Sequence, residues 1–210
     1  MSDAIGFEPL AATYRSGVRE SVHHGAIVVL DRSGDVRFAA GDADLPIYPR
    51  SSMKPLQATA MVEAGLSLPD ELLALVCASH DGRPAHIDGV RRILRSVGLD
   101  ESALQNTPDL PLDEDESERI VRSGGRRSSI QQNCSGKHAG MLATCAAAGW
   151  SSGASYLDQS HPLQRAITDR VPGLAESEVV AIGIDGCGAP AHVVSLIGLA
   201  RAFRNLATGA

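Results

Sequence analysis

The segment Arg50-Ser51-Ser52-Met53-Lys54, together with the residues up to Gly65, marks a change from strand patterns to helix patterns. From Ser52 onward, apolar residues recur with a helical period, and Gly65 is a typical C-terminal cap. Ser51 precedes Lys54 by three residues, a spacing that places both side chains on one face of a helix. The segment therefore predicts a helix that carries a serine and a lysine at its start.

The segments on either side predict an α/β fold of the α+β type, in which helices flank an antiparallel sheet. Upstream, residues 18–22, 26–30 and 36–39 have the composition of strands and predict an antiparallel meander. Downstream, helical periods and caps predict helices over residues 70–78, 84–97, 137–148, 161–171 and 191–206, and a short helix within 106–129. The apolar run 179–184 predicts a strand before a glycine-rich turn.

Composition narrows the class of protein. The 210 residues, 43% of them hydrophobic, predict a single domain over residues 1–210. A net charge of -6 with scattered basic residues argues against nucleic-acid binding, and no apolar segment reaches membrane-spanning length. The four cysteines are too few for a disulfide scaffold in a chain of this length, so we expect a cytoplasmic protein.

The serine and lysine at the start of the predicted helix form a candidate catalytic pair. A serine hydroxyl needs a base within hydrogen-bond reach, and a lysine can serve when burial or a neighbouring cation lowers its pKa. Ser79, near the end of the next predicted helix, is a candidate second hydroxyl. A helix cap at Ser51 and a solvated Lys54 would explain the same spacing without catalysis.

Two distant cysteines in similar segments form a candidate metal site. Cys134 and Cys187 would supply two thiolates, which zinc favours, and Lys137 could add a neutral amine. A pair of free thiols or a disulfide accounts for the same residues equally well.

Four sequence blocks occur in order along the chain: Arg50–Ala58, Cys77–His80, Asn133–Met141 and Asp185–Gly188. Together they resemble the rhizobial-type L-asparaginases, also called the asparaginase II family. The resemblance implies hydrolysis of L-asparagine to L-aspartate and ammonia, and a fold similar to that of serine beta-lactamases and glutaminases. The block Asn133-Cys134-Ser135-Gly136-Lys137-His138 is the most specific of the four.

The resemblance also assigns roles to individual residues. Ser51 would be the nucleophile or a member of its relay, Lys54 its base and Ser79 the second serine. Substrate would be oriented by Arg50 and Asp185. The zinc ligands would be Cys134, Lys137 and Cys187.

The chain is short compared with that family. The resemblance implies that the family's C-terminal segment, with the lysine that partners the second serine and with further strands, has no counterpart after Leu206. We therefore expect an unfilled sheet edge that favours a homodimer.

Two other functions fit the same residues. One is a catalytically impaired, truncated relative that still binds zinc or amino acids. The other is a different serine-lysine acyl-transfer hydrolase, such as a penicillin-recognising enzyme, although the chain has no Ser-Asp-Asn or Lys-Thr-Gly element.

Overall fold

The computed structural model describes residues 6–209, apart from the side chains of residues 154 and 155. The chain divides into two compact units. Unit 1 comprises residues up to 49, residues 172–181 and residues from 193 onward, and unit 2 comprises residues 50–171 and 182–192. The single domain over residues 1–210 stays a prediction.

The described residues contain seven β-strands and seven α-helices. The strands are β1 (Glu8–Arg15), β2 (Val18–Gly25), β3 (Ile27–Leu30), β4 (Val36–Ala40), β5 (Pro46–Ile47), β6 (Ala181–Ile184) and β7 (Pro190–Ser195). The α-helices are α1 (Lys54–Glu63), α2 (Asp70–Cys77), α3 (Pro84–Ser96), α4 (Glu114–Arg122), α5 (Ser135–Ala148), α6 (Pro162–Ala175) and α7 (Leu196–Thr208). Short 3-10 segments lie at Arg50–Met53, Glu101–Ala103 and Ala154–Leu157. The predicted α+β class, with antiparallel strand pairs and helices, is confirmed.

The first strands form two hairpins rather than the predicted meander. β2 pairs antiparallel with β1, a strand that the sequence analysis did not predict, and β3 pairs with β4. The β1–β2 turn explains the difference, because Ser16 and Gly17 both have positive φ angles, of 49° and 81°. Two such residues in a row form the tight turn that matches the twist of a hairpin, so β2 is directed back onto β1.

The segment after the glycine-rich turn is a strand, whereas the sequence analysis predicted a helix from residue 191. Residues of β7 are buried up to Val194, and Ile47 of β5 pairs with Val194. Helix α7 begins only after Ser195, whose hydroxyl accepts a hydrogen bond from Gly198 N at 3.1 Å. The β-branched residues of this segment favour an extended backbone, and the serine cap sets the first residue of the helix.

Close packing between α2 and α5 determines the geometry of unit 2. A Cβ atom at Gly136 would lie 2.6 Å from Leu75 O, and one at Gly140 would lie 2.7 Å from a Val76 methyl carbon. These two glycines are one turn apart on α5, so they allow α2 to approach the α5 backbone. The end of α2 is thereby held beside the start of α5.

No helix among residues 6–209 is both long enough and apolar enough to cross a membrane.

Candidate active site

Two loops of unit 2 meet at the side chain of Lys54. Its helix begins directly after the 3-10 segment, where Pro55 is tolerated because first-turn amides have no partner within the helix. Helix α2 ends at Cys77, and the extended Ala78 carries the chain to His80. His80 N donates to Asn133 O at 3.2 Å, which ties this loop to the residues before α5.

The amine of Lys54 is buried and fully engaged in hydrogen bonds. Only 2% of the residue is exposed. Its Nζ lies within hydrogen-bond distance of Ala78 O at 2.7 Å, Ser79 Oγ at 2.9 Å and Asn133 O at 3.5 Å. Burial lowers the pKa of Lys54, and the positive charge of Lys137 adds to this effect, whereas the Cys134 thiolate opposes it. The lowered pKa increases the fraction of the neutral amine, which is the form that a general base requires.

The two candidate serines have different surroundings. Ser79 is exposed, bonds to the Lys54 amine and lines a cavity of about 370 Å³ together with His80, Asp81 and His86. Ser51 is also exposed, but its hydroxyl makes no hydrogen bond with residues 6–209. The lysine that was predicted to pair with Ser51 is thus hydrogen-bonded to Ser79.

Arg50 and Asp185, the two predicted substrate-orienting residues, bind each other. The Nε and Nη2 atoms of Arg50 lie 2.7 and 2.6 Å from Asp185 Oδ1, which also accepts a hydrogen bond from Gly186 N. Among residues 6–209, no donor reaches Asp185 Oδ2. Arg50 has a φ of 54°, an unfavourable value for a residue with a side chain, and such strain is common at functional sites.

The predicted metal ligands also lie together. Cys134 and Cys187 are 5% and 2% exposed. The neighbouring Cys187 thiol, together with the charges of Lys137 and Lys54, lowers the pKa of Cys134 to about 5 against the effect of burial, and Cys134 in turn raises the pKa of Cys187. Lys137 Nζ donates to Cys187 Sγ at 3.3 Å. Two thiols and an amine in one buried cluster are a donor set that suits a soft cation.

This set contains two cysteines and one lysine. Within residues 6–209, no cluster of three His, Cys, Asp or Glu side chains has the arrangement of a metal site.

An amide side chain that the sequence analysis missed holds the Cys134 loop. Gln132 Oε1 accepts hydrogen bonds from Cys134 N and from Asn106 Nδ2, both at 2.9 Å, while Gln132 Nε2 donates to Asn133 Oδ1 at 2.8 Å. Gln132 and Asn106 are both buried. The glutamine pair Gln131-Gln132 before the cysteine block gave no signal of this role, because the partner Asn106 is distant in sequence.

Two histidines of the sequence blocks are buried beside these groups. His80 bonds to Ser135 Oγ at 2.8 Å, and burial lowers its pKa to about 4. His138 bonds through Nδ1 to the hydroxyl of Tyr156 at 2.9 Å, and burial lowers its pKa to about 4 as well. Both rings are therefore neutral near pH 7, and Tyr156 was not a predicted site residue.

Comparison with known proteins identifies the family to which the chain belongs. A search of curated proteins finds no match. The profile of the family described as L-asparaginase II matches residues 11–210, which is nearly the whole chain. The match includes the loops around Lys54 and the cysteine cluster, and it supports a function of the asparagine amidohydrolase type. The chain belongs to the L-asparaginase II family.

Proposed function

We propose that this protein hydrolyses the side-chain amide of L-asparagine to L-aspartate and ammonia, with Ser79 as the nucleophile and Lys54 as its base. One observation carries the proposal. A buried amine lies 2.9 Å from an exposed serine hydroxyl in a chain of the L-asparaginase II family. This separation is within the range that proton transfer between a nucleophile and its base requires.

The contacts of Lys54 support the role of base. A neutral amine has two N–H groups and one lone pair. The carbonyl oxygens of Ala78 and Asn133, at 2.7 and 3.5 Å, can accept from the two N–H groups. The lone pair is then left for the hydroxyl proton of Ser79, whose oxygen is the third partner of Nζ.

The reaction follows from this arrangement. Lys54 takes the Ser79 proton as Oγ bonds to the side-chain carbonyl carbon of asparagine. The ammonium of Lys54 then returns a proton to the departing nitrogen as the C–N bond breaks, so that ammonia leaves and an ester to Ser79 remains. A water molecule, deprotonated by Lys54, cleaves the ester, and the proton returns to Ser79 Oγ.

Arg50 and Asp185 are suited to the charged groups of the amino-acid substrate. Asp185 Oδ2 has no donor within residues 6–209, so it can accept a hydrogen bond from the substrate ammonium without losing Arg50. The Arg50 side chain is 61% exposed and can contact the substrate carboxylate. Both roles are part of the proposal.

Ammonia release from L-asparagine by purified variants is the direct test. Ser79→Ala and Lys54→Met should each lower kcat/KM by about 10²–10⁴-fold, the usual contribution of a positioned acid-base group. Ser52→Ala is the matched control, because Ser52 is an exposed neighbour of Ser51 outside the proposed machinery. Full activity in Ser79→Ala and its loss in Ser51→Ala would transfer the nucleophile's role to Ser51.

The same preparations separate the alternative functions. Metal or amino-acid binding without ammonia release would identify a catalytically silent relative. Covalent acylation of a serine by a beta-lactam, detected by mass spectrometry, would identify a different serine-lysine hydrolase.

We further propose that Cys134, Lys137 and Cys187 hold a zinc ion. Support comes from the two buried thiols, from the lowered pKa of Cys134 and from the 3.3 Å contact of Lys137 with Cys187. Bound zinc would fix Cys187 and so order the adjacent substrate-binding turn at Asp185.

Metal analysis tests the zinc proposal. Protein purified with zinc present should retain about one equivalent, and Cys134→Ser and Cys187→Ser should each lose it because a hydroxyl is a poor ligand for zinc. Cys77→Ser is the matched control, since Cys77 is a half-buried free cysteine outside the cluster. Zinc-free wild-type protein that takes up no metal in a titration would contradict the proposal.

We also propose a cytoplasmic homodimer. Support for self-association comes from unit 1, where β1 and β2 form a two-stranded sheet with Leu10, Tyr14 and Val18 exposed. Support for the compartment comes from the four free thiols, which a reducing environment maintains. Light scattering after size-exclusion chromatography should give twice the chain mass, and a single-chain mass would contradict the dimer.

A further inference from the structure

A buried hydrogen-bond chain leads from the backbone of Gln105 through Tyr156 to His138. Gln105 N donates to the Tyr156 hydroxyl at 3.2 Å, and the same hydroxyl lies 2.9 Å from His138 Nδ1. Tyr156 and His138 are both 0% exposed, so water does not compete for these contacts. Gln164 holds the Tyr156 backbone by donating from Nε2 to Tyr156 O at 2.9 Å.

The chain of contacts decides which nitrogen of His138 carries the proton. Gln105 N–H can only donate, so the Tyr156 oxygen accepts there. If His138 Nδ1 also donated to that oxygen, the Tyr156 O–H would have no acceptor within residues 6–209. A buried, unpaired hydroxyl is costly, so Tyr156 donates to Nδ1. The neutral His138 ring then carries its proton on Nε2.

The other end of the His138 ring faces the cysteine cluster. Nε2 is buried and lacks a partner of full hydrogen-bond geometry within the described part of the chain. The Cys187 thiol lies close enough to the His138 ring for each to shift the pKa of the other: Cys187 raises the pKa of His138 against the larger effect of burial, and His138 lowers that of Cys187. A thiolate is a stronger acceptor than a thiol, so metal binding, which deprotonates cysteine, would strengthen a hydrogen bond from Nε2–H.

We propose that His138 is a positioning residue that donates its Nε2–H to Cys187 Sγ, and that Tyr156 fixes the tautomer that makes this donation possible. The role toward a metal rests on the zinc site proposed above. The tautomer itself does not, because its hydrogen bonds are present in the chain alone. Residues that orient a metal ligand in this way commonly contribute about 10–100-fold to metal affinity.

Long-range ¹H–¹⁵N correlation spectra of the full chain, labelled at histidine nitrogens, test the tautomer. Wild-type His138 should be protonated at Nε2 alone, and Tyr156→Phe should remove that preference. Tyr14→Phe is the matched control, because Tyr14 is 65% exposed on β1. Protonation of His138 at Nδ1 in the wild type would overturn the proposal.

Cobalt titration tests the effect on the metal site. The absorption of Co²⁺–thiolate bonds should report binding about 10–100-fold weaker in Tyr156→Phe and in His138→Met than in the wild type. His138→Gln should bind close to normally, because its amide nitrogen can donate from the place of Nε2. Equal affinity in the wild type and His138→Met would overturn the proposal. Failure of the wild type to bind Co²⁺, together with the Nε2–H tautomer, would overturn the metal site while supporting the tautomer that Tyr156 fixes.

Discussion

His80 should make the free energy of unfolding depend strongly on pH. The residue is 3% exposed, and its pKa in the folded protein is lowered from 6.5 to about 4, mainly by burial and further by His86 and Lys54. Below pH 6.5 His80 is therefore protonated in the unfolded chain, whereas in the folded chain it becomes protonated only near pH 4. The stabilising contribution of the neutral ring is complete above pH 6.5 and is lost as the pH falls to about 4.

The magnitude follows from the size of this pKa change. Each pKa unit corresponds to about 1.4 kcal/mol, so the complete loss from His80 is roughly 3 kcal/mol. Between about pH 7.5 and about pH 5, the part that has been lost is roughly 2 kcal/mol. His138 and His192, both buried with pKa values lowered to about 4, should add losses of the same sign.

Urea unfolding at these two pH values, monitored by circular dichroism, measures the effect. His80→Gln removes the titrating ring and keeps an amide near the position of Nε2, so it can still bond to Ser135. Its loss of stability on acidification should be smaller than that of the wild type by roughly 2 kcal/mol. His23→Gln, at an exposed position on β2, is the control and should leave the wild-type difference unchanged. Equal losses in His80→Gln and the wild type would refute the reasoning.

Three further substitutions test the packing and the substrate contacts. Gly136→Ala should lower the free energy of unfolding in urea by roughly 1–3 kcal/mol, because the new methyl group would lie 2.6 Å from Leu75 O. This clash exceeds the gain of about 1 kcal/mol in helix propensity. Unchanged stability would contradict the prediction. Ser195→Ala should cost about 1 kcal/mol in thermal unfolding through loss of the α7 cap, whereas Ser195→Asn should retain most of the stability. Arg50→Lys should raise KM for asparagine more than it lowers kcat, since a lysine lacks the planar fork that binds a carboxylate, and an unchanged KM would count against that contact.

The sequence predicted the helical part of the fold well because helix periods and caps are local signals. The boundaries of α2 and α3 lie within one residue of their predicted ends. The sequence analysis missed β1 because the pairing of β1 with β2 depends on the tight turn between them. That turn is formed by the backbone angles of Ser16 and Gly17. The sequence around β7 lacks a local signal strong enough to exclude a helix, and its pairing with β5 depends on a strand about 150 residues away.

The sequence predicted which residues form the candidate site, but not which of them are hydrogen-bonded to each other. The sequence blocks identified Lys54, Ser79 and both cysteines of the cluster. The spacing of Ser51 and Lys54 favoured their pairing on one helical turn, yet Ser51 lies in a 3-10 segment and the lysine amine reaches Ser79 instead. The spacing of Ser51 and Lys54 does not determine the position of the Lys54 amine, because the carbonyl groups that bind this amine belong to other loops.

Two of the three groups that hold the Lys54 amine are main-chain carbonyls, those of Ala78 and Asn133. Every amino acid supplies such an oxygen, so side-chain changes at either position keep both anchor points as long as the two loops follow the same path. The position of the proposed general base thus depends on the path of the backbone rather than on neighbouring side chains. Substitutions at Ala78 and Asn133 can therefore change the side chains around the amine without displacing it.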